Sequence, residues 1–152
     1  MAELPADPIA PPVAKPCPSC PFNRKVSPGA LGGSPVETYI GQIHGPFVIA
    51  CHMHIDFRDP TWDVLHRYAT TPQCAGAAIF RANCHITNRL PKSIPRAAAN
   101  RDIVFSNVAE FAAHHSRNRR LSARVFKAWY TPLRIMALVK EQIQRAQNGE
   151  RP

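Results

Sequence analysis

Four cysteines in the first half of the chain have the residue type and spacing of a metal site. Cys17 and Cys20 form a C-x2-C pair, whose two-residue spacer lets one turn of backbone present two thiolates to one ion. Proline follows each of them and favours a turn over a helix at this point. Cys51, at the end of an apolar run, and Cys74, at the start of a helical pattern, are the expected suppliers of the other two sulfurs. We therefore expect four thiols to meet at one site.

The fifth cysteine and its neighbours form a second set of candidate ligands. Cys84 remains after the four are assigned, and His85 follows it directly. His52 stands next to Cys51 in the same way. Imidazole and thiolate mix readily at zinc, so His52, Cys84 and His85 are secondary or supporting candidates.

The residue types leave two cofactors open. Four thiolates suit Zn2+ and an iron–sulfur cluster equally well. Here three separate segments supply the ligands, and proline follows both cysteines of the C-x2-C pair, which is also seen around clusters. Zinc is the commoner metal in such sites. The sequence places a 4Fe–4S cluster marginally ahead, with Zn2+ nearly level.

The segments around these cysteines resemble an uncharacterised family of small cysteine-motif proteins from actinobacteria, other bacteria and their tailed phages. The family pattern is C-P-x-C-P-aromatic-Arg, then C-H, then C-A-G. Its counterparts here are Cys17-Pro-Ser-Cys20-Pro-Phe-Asn-Arg24, Cys51-His52 and Cys74-Ala-Gly76 with a following Asn83, over about residues 16–90. Asn23 stands before Arg24, where the family has the aromatic residue followed directly by arginine. The resemblance implies that the four cysteines and His52 belong together and that Cys84 does not. It implies no activity.

The elements that must position these residues are mostly helical. Residues 1–15 are proline-rich and predicted to be a disordered tail, 16–90 a four-cysteine metal-binding domain, and 91–148 a basic helical region. We expect a mostly α fold with one or two short strands, the clearer one over 47–51. Ser34 and Thr131, each followed by proline, are the expected caps of two helices. The helices are predicted near 35–43, 59–68, 74–83, 106–115, 122–130 and 132–148.

Charge is concentrated in the second half of the chain. Residues 1–80 have a formal balance of −1 and residues 81–152 one of +10, which together give the net charge of +9. On one helix, Arg120, Arg124 and Lys127 would lie at i, i+4 and i+7 and form a cationic stripe. Such a stripe favours nucleic acid or an acidic protein as partner. The predicted contact residues are Arg117, Arg119, Arg120, Arg124 and Lys127.

These features favour a non-enzymatic, metal-binding regulatory or accessory protein. No apolar run reaches the roughly 20 residues that span a bilayer, and the N-terminus has no secretory signal, so we expect a soluble, cytoplasmic protein. Five cysteines in a reducing compartment favour metal ligation over disulfides. The alternative is an enzyme, either a thiol oxidoreductase using Cys17 and Cys20 or a histidine–metal nuclease using His52, His54 and His85.

Overall fold

The fold is built from short helices with almost no paired strand. The computed structural model describes residues 15–46, 49–51, 73–86, 90, 94–116 and 121–149. In this part of the chain, strand pairing is limited to two isolated antiparallel bridges, Asn23 with Val104 and Ala50 with Gln73. The mostly α fold class is therefore confirmed. The five helices of the described residues are α1 (Val36–His44), α2 (Ala75–Cys84), α3 (Val108–His115), α4 (Ala123–Trp129) and α5 (Pro132–Gln147).

These helices match five of the six predicted segments to within two residues at each end. The predicted helix over 59–68 lies outside the described residues, as do Phe47 and Val48 of the predicted strand. The predicted cap of α5 is confirmed, since the Thr131 side chain accepts a hydrogen bond from the Arg134 amide at 3.3 Å. Nothing in the structure tests the proposed division at residue 90 into two domains.

The predicted cap of α1 is wrong. Pro35, in an extended conformation, is the N-cap residue, and no side chain caps the helix. A Ser34 cap would form a capping box with Glu37, in which the Glu37 carboxylate turns back to the backbone at the helix start. Instead, Glu37 accepts a hydrogen bond from the Tyr130 hydroxyl at 3.0 Å and lies 3.7 Å from the Arg134 guanidinium. Long-range partners on the C-terminal helices thus take the carboxylate away from its local role.

A cluster of aromatic rings forms the centre of the core. The Phe22 ring, which is fully buried, lies with its centroid 5.1 Å from those of both Phe80 and Phe111. Tyr39 and Phe105 meet this cluster edge-on. Burial of each large apolar side chain contributes roughly 1.5–3 kcal/mol. Because Phe22 follows Cys20 by two residues, the core fixes the C-x2-C turn in place.

Helices α1 and α5 pack closely at a glycine. A Cβ atom added at Gly41 would lie 2.7 Å from both the Gln142 Cγ and the Leu138 carbonyl oxygen. The missing side chain therefore lets the two helix backbones approach. Within the described residues, no helix has both the length and the apolar character needed to cross a membrane.

Candidate metal centre

Two of the four predicted ligands lie in contact. The Sγ atoms of Cys20 and Cys74 are 3.6 Å apart, although 54 positions separate the two residues along the chain. Both side chains are buried, with 1% of Cys20 and 6% of Cys74 exposed. All five cysteines are reduced. The fold thus brings the C-x2-C turn and the start of α2 together at their sulfurs.

Hydrogen bonds within the C-x2-C turn hold its shape. The Cys20 amide donates to the Cys17 carbonyl at 3.0 Å, and the Asn23 amide donates to the Cys20 carbonyl at 3.0 Å. The Asn23 side chain also donates to the Cys17 carbonyl, at 3.2 Å. Asn23, which stands between Phe22 and Arg24, therefore closes the turn with its side-chain amide group.

Cys74 lies where a helix start favours a thiolate. It is the N-cap residue of α2, and its Sγ accepts a hydrogen bond from the Ala77 amide at 3.5 Å. The hydrogen bond from Cys20 lowers the pKa of Cys74; burial opposes this, and the Ala77 and Gly76 amides lower it further. The same shared hydrogen bond raises the pKa of Cys20, and burial adds to the rise. The two opposite shifts indicate that Cys74 loses its proton before Cys20 does.

Gly76 makes the approach of the two chain segments possible. A Cβ atom at this position would overlap the Cys20 Sγ and would lie 3.2 Å from the Phe22 Cβ. Gly76 is the second residue of α2, where glycine costs helix stability relative to alanine. Its place in the C-A-G motif is explained by the space that the Cys20 sulfur needs.

Cys51 reaches the same region through a backbone bridge. Ala50 pairs with Gln73, and the Cys74 amide donates to the Ile49 carbonyl at 2.8 Å. The bridge therefore brings the backbone of Cys51 close to that of Cys74. Cys51 is buried, with 4% of the residue exposed.

Cys17 lies at the surface side of the pair. It is half-buried, and its Sγ is 3.6 Å from the Ser19 hydroxyl oxygen. It packs against the core that contains Cys20 and Cys74. Its charge adds a small rise to the pKa of Cys20, after the larger effects of Cys74 and burial. The two cysteines of the C-x2-C turn therefore interact electrostatically.

A buried arginine, not expected from the sequence, lies near the thiols. Arg81 is 1% exposed, and its guanidinium donates to the carbonyls of Ile43 at 3.0 Å and Gln42 at 2.9 Å. Its positive charge contributes to the lowered pKa of Cys74, after the effects of Cys20, burial and the backbone amides. The available signal was a lone arginine among small and apolar residues in the Ala77–Ala82 stretch.

Cys84 and His85 lie at the opposite end of α2 from Cys74. Cys84 is ten positions after Cys74, which corresponds to about 15 Å of helix. Burial raises the pKa of Cys84 to about 12, so its thiol stays neutral at physiological pH. His52 and His54 lie outside the described residues. The structure thus does not bring Cys84 or His85 to the sulfur pair.

The sulfur–sulfur contact described above joins Cys20 and Cys74. Among the residues that the structure describes, no group of three or more His, Cys, Asp or Glu side chains is arranged as a ready metal site. The two sulfurs in contact, Cys20 and Cys74, are buried soft donors of the kind that zinc and iron–sulfur clusters take.

Two of the three residues of the predicted cationic stripe, Arg124 and Lys127, lie on one helix. Helix α4 begins at Ala123, and Ser122 is its extended N-cap residue. The helix therefore contains Arg124 and Lys127 of the predicted stripe. Arg117, Arg119 and Arg120 lie outside the described residues, whereas Arg124 and Lys127 are exposed on α4.

Three comparisons with known proteins add no constraint on this site. A scan of protein-family models, a search of curated proteins and a search of solved structures each found no match to this chain. The resemblance to the cysteine-motif family stays a prediction, and the function must be argued from the geometry of Cys20, Cys74 and their surroundings.

Proposed function

We propose that this chain is a metal-binding, non-enzymatic accessory protein whose metal stabilises its fold. The ligands in this proposal are Cys17, Cys20, Cys51 and Cys74. The observation that carries it is the 3.6 Å separation of the Cys20 and Cys74 sulfurs in a buried position. The thiols of two segments that are far apart in sequence are in contact there. A metal ion bound to both sulfurs would cross-link the segments by coordination bonds.

The spacing of the sulfurs supports a single ion, and we propose Zn2+. Thiolates bound to one tetrahedral zinc at about 2.3 Å lie roughly 3.8 Å apart. The observed 3.6 Å is close to this value. In a 4Fe–4S cluster each thiolate binds a different iron, so its sulfurs lie farther apart. The cluster stays the alternative cofactor, and it would require the C-x2-C turn to move away from α2.

The other two proposed ligands belong to segments next to the pair. Cys17 is in the same turn as Cys20, whose amide donates to the Cys17 carbonyl. Cys51 follows Ala50, which pairs with Gln73, the residue before Cys74. In the proposed site their sulfurs would turn toward the Cys20–Cys74 pair and complete the ligand set.

The charge around the pair also supports a thiolate site. Four thiolates on Zn2+ have a net charge of −2, which is costly to bury without compensation. Arg81 supplies a buried positive charge, and the amide of Ala77 donates to the Cys74 sulfur. Such outer partners are a usual part of thiolate metal sites.

The alternative of a thiol oxidoreductase has less support. A redox pair needs an accessible thiolate that attacks the disulfide of a partner protein. The Cys74 side chain is 6% exposed, and the Cys20 sulfur that it contacts belongs to a residue that is 1% exposed. Burial of this kind favours a structural role.

Metal analysis of cysteine variants tests the proposal. We expect protein purified without oxygen to contain one zinc ion per chain. Cys20→Ser and Cys74→Ser should lose most of this metal and unfold at lower temperature, whereas Cys84→Ser should keep both. A folded wild-type chain that binds neither zinc nor iron, even after anaerobic reconstitution, would remove the proposal. An iron–sulfide stoichiometry with absorption near ~400 nm would instead select the cluster.

We further propose that the basic C-terminal region contacts nucleic acid in the cytoplasm. The support is the balance of +10 over residues 81–152 and the exposure of Arg124 and Lys127. Binding through phosphates weakens steeply as salt rises, because bound counterions are released. Nucleic-acid binding measured at about 50 and 200 mM salt therefore tests this part. Absent or salt-insensitive binding would contradict it, and preference for an acidic protein would identify the other class of partner.

A further inference from the structure

A cavity of about 580 Å³ lies between the end of α2, the start of α3 and α4. It is on the far side of α2 from the sulfur pair, since Cys84 and His85 line it. Its volume is in the range of small-molecule sites, roughly 300–1,000 Å³. The wall also includes Asn107, the N-cap residue of α3, Val108 and Ala109 from α3, and Arg124 and Lys127 from α4.

The charges of the cavity wall have one sign. Arg124 and Lys127 are both exposed, and in the described part of the chain neither pairs with a carboxylate. No Asp or Glu is among the described residues that line the cavity. Cys84, the other ionisable group besides the histidines and Tyr130, is held neutral by burial, which raises its pKa to about 12. The cavity therefore presents positive charge without a counter-charge in its wall.

The placement of these cations costs stability when no anion is present. Arg124 and Lys127 are three positions apart on α4 and thus neighbours on one face, where like charges repel. Arg124 is also the second residue of its helix, and cations are unfavourable at the positive end of a helix. Two unfavourable placements facing the same cavity indicate a role in binding.

The start of α3 adds groups that suit an anion. Val108 and Ala109 are its first two residues, and both line the cavity. Amides of a first helical turn have no partner inside the helix and carry the positive end of its dipole. The Val108 amide donates to the Cys84 sulfur, so Ala109 has the other such amide beside the cavity. The Asn107 side chain accepts from the Glu110 amide at 2.9 Å, which fixes the helix start beside the cavity.

We propose that this cavity, which we name the phosphate pocket, binds a phosphate group of a nucleotide or of a nucleic-acid strand. Arg124 and Lys127 would neutralise the phosphate, and the first turn of α3 would receive its oxygens. The volume leaves space for the sugar and base beside the phosphate. This inference deepens the proposed nucleic-acid contact, since it names the chemical group and the place, and it is independent of the metal.

The test is a titration of the full chain, as purified, followed by amide NMR. The probes are inorganic phosphate, a mononucleotide, and a short single-stranded oligonucleotide with and without a 5′-phosphate. We expect saturable shifts at Val108, Ala109, Arg124 and Lys127. Arg124→Gln/Lys127→Gln should weaken phosphate binding by at least about tenfold, the range of lost charged hydrogen bonds. The control, Lys25→Gln/Lys140→Gln, removes the same charge from two other exposed positions and should change it much less.

The four probes separate the outcomes. Stronger binding of the phosphorylated oligonucleotide identifies a strand end, and equal binding of the mononucleotide identifies a free nucleotide. No saturable shift with any probe, or equal weakening in both double variants, would overturn the phosphate pocket. Salt-sensitive oligonucleotide binding that is unchanged by Arg124→Gln/Lys127→Gln would also overturn it, while the proposed nucleic-acid contact would stand. If phosphate shifts these amides but the wild-type chain shows no salt-sensitive oligonucleotide binding, the phosphate pocket stands and the proposed nucleic-acid contact is overturned.

Discussion

The Cys20 sulfur lies over the backbone of Gly76, in the space that the Cβ atom of any other residue would fill. Cys20 comes from the C-x2-C turn and Gly76 from the first turn of α2. This single contact brings Cys20 to 3.6 Å from the Cys74 sulfur. The relationship links two motifs that the sequence shows only as separate short patterns.

Gly76→Ala should separate the two sulfurs. Alanine favours the helix by up to about 1 kcal/mol relative to glycine, but overpacking at a buried position costs about 1–3 kcal/mol. We expect a net loss of stability and a lower metal content per chain, measured by urea unfolding and metal analysis. Ala82→Gly changes propensity in the same helix away from the sulfurs and should keep its metal. Full metal binding by Gly76→Ala would contradict the close approach.

Arg81→Met should weaken metal binding. Methionine removes the positive charge while it keeps much of the buried side-chain volume. The buried guanidinium helps to lower the pKa of Cys74, after the larger effects of Cys20, burial and the backbone amides, and it ties α2 to the end of α1 through Gln42 and Ile43. Loss of such an outer partner typically lowers metal affinity by about 10–100-fold. Competition with a chelator measures this. The exposed Arg96→Met is the control, and equal affinities in the two variants would show that Arg81 does not act on the site.

Asn83→Ala should destabilise the fold strongly. Asn83 is 2% exposed, and its amide nitrogen faces the carbonyls of Asn100, Val104 and Phe105 at 3.0–3.3 Å. Its oxygen accepts from the Asn100 amide at 2.8 Å. Alanine would leave several buried backbone groups unpaired, at a cost of about 2–4 kcal/mol. Urea unfolding checks this against Asn148→Ala, an exposed position. A cost below about 1 kcal/mol would contradict this role.

The stability of the protein should fall below pH 6.5 through His115. Burial lowers the pKa of His115 from its ordinary value of 6.5. The neutral ring accepts from the Gly29 amide at 3.0 Å and donates to the Pro21 carbonyl at 2.8 Å. Because the folded state resists protonation, this contribution is complete above pH 6.5 and is lost as the pH falls toward the lowered pKa.

Unfolding free energies at about pH 7.5 and pH 5 measure this loss. We expect the difference between the two values to be smaller in His115→Gln than in the wild type. His85→Gln, at an exposed histidine, controls for the loss of a histidine in general. An unchanged difference in His115→Gln would show that this ring does not couple folding to pH.

The sequence allowed most helices and part of the site to be predicted, for identifiable reasons. The periodic apolar pattern of α5 and the cap at Thr131 are local signals, so that helix was predictable. The C-x2-C turn is equally local. The cap of α1 failed because Glu37 is taken by Tyr130, a partner 93 positions away. Arg81 was missed because its carbonyl partners belong to another helix, which no local pattern reveals.

The most direct test of the central claim is the sulfur count around the bound metal. X-ray absorption at the zinc edge of the full chain, purified without oxygen, should show four sulfur neighbours at about 2.3 Å. The number should fall to three in Cys51→Ser and in Cys17→Ser and stay at four in Cys84→Ser. A first shell of nitrogen and oxygen, or four sulfurs that persist in both serine variants, would contradict convergence of the four cysteines on one ion.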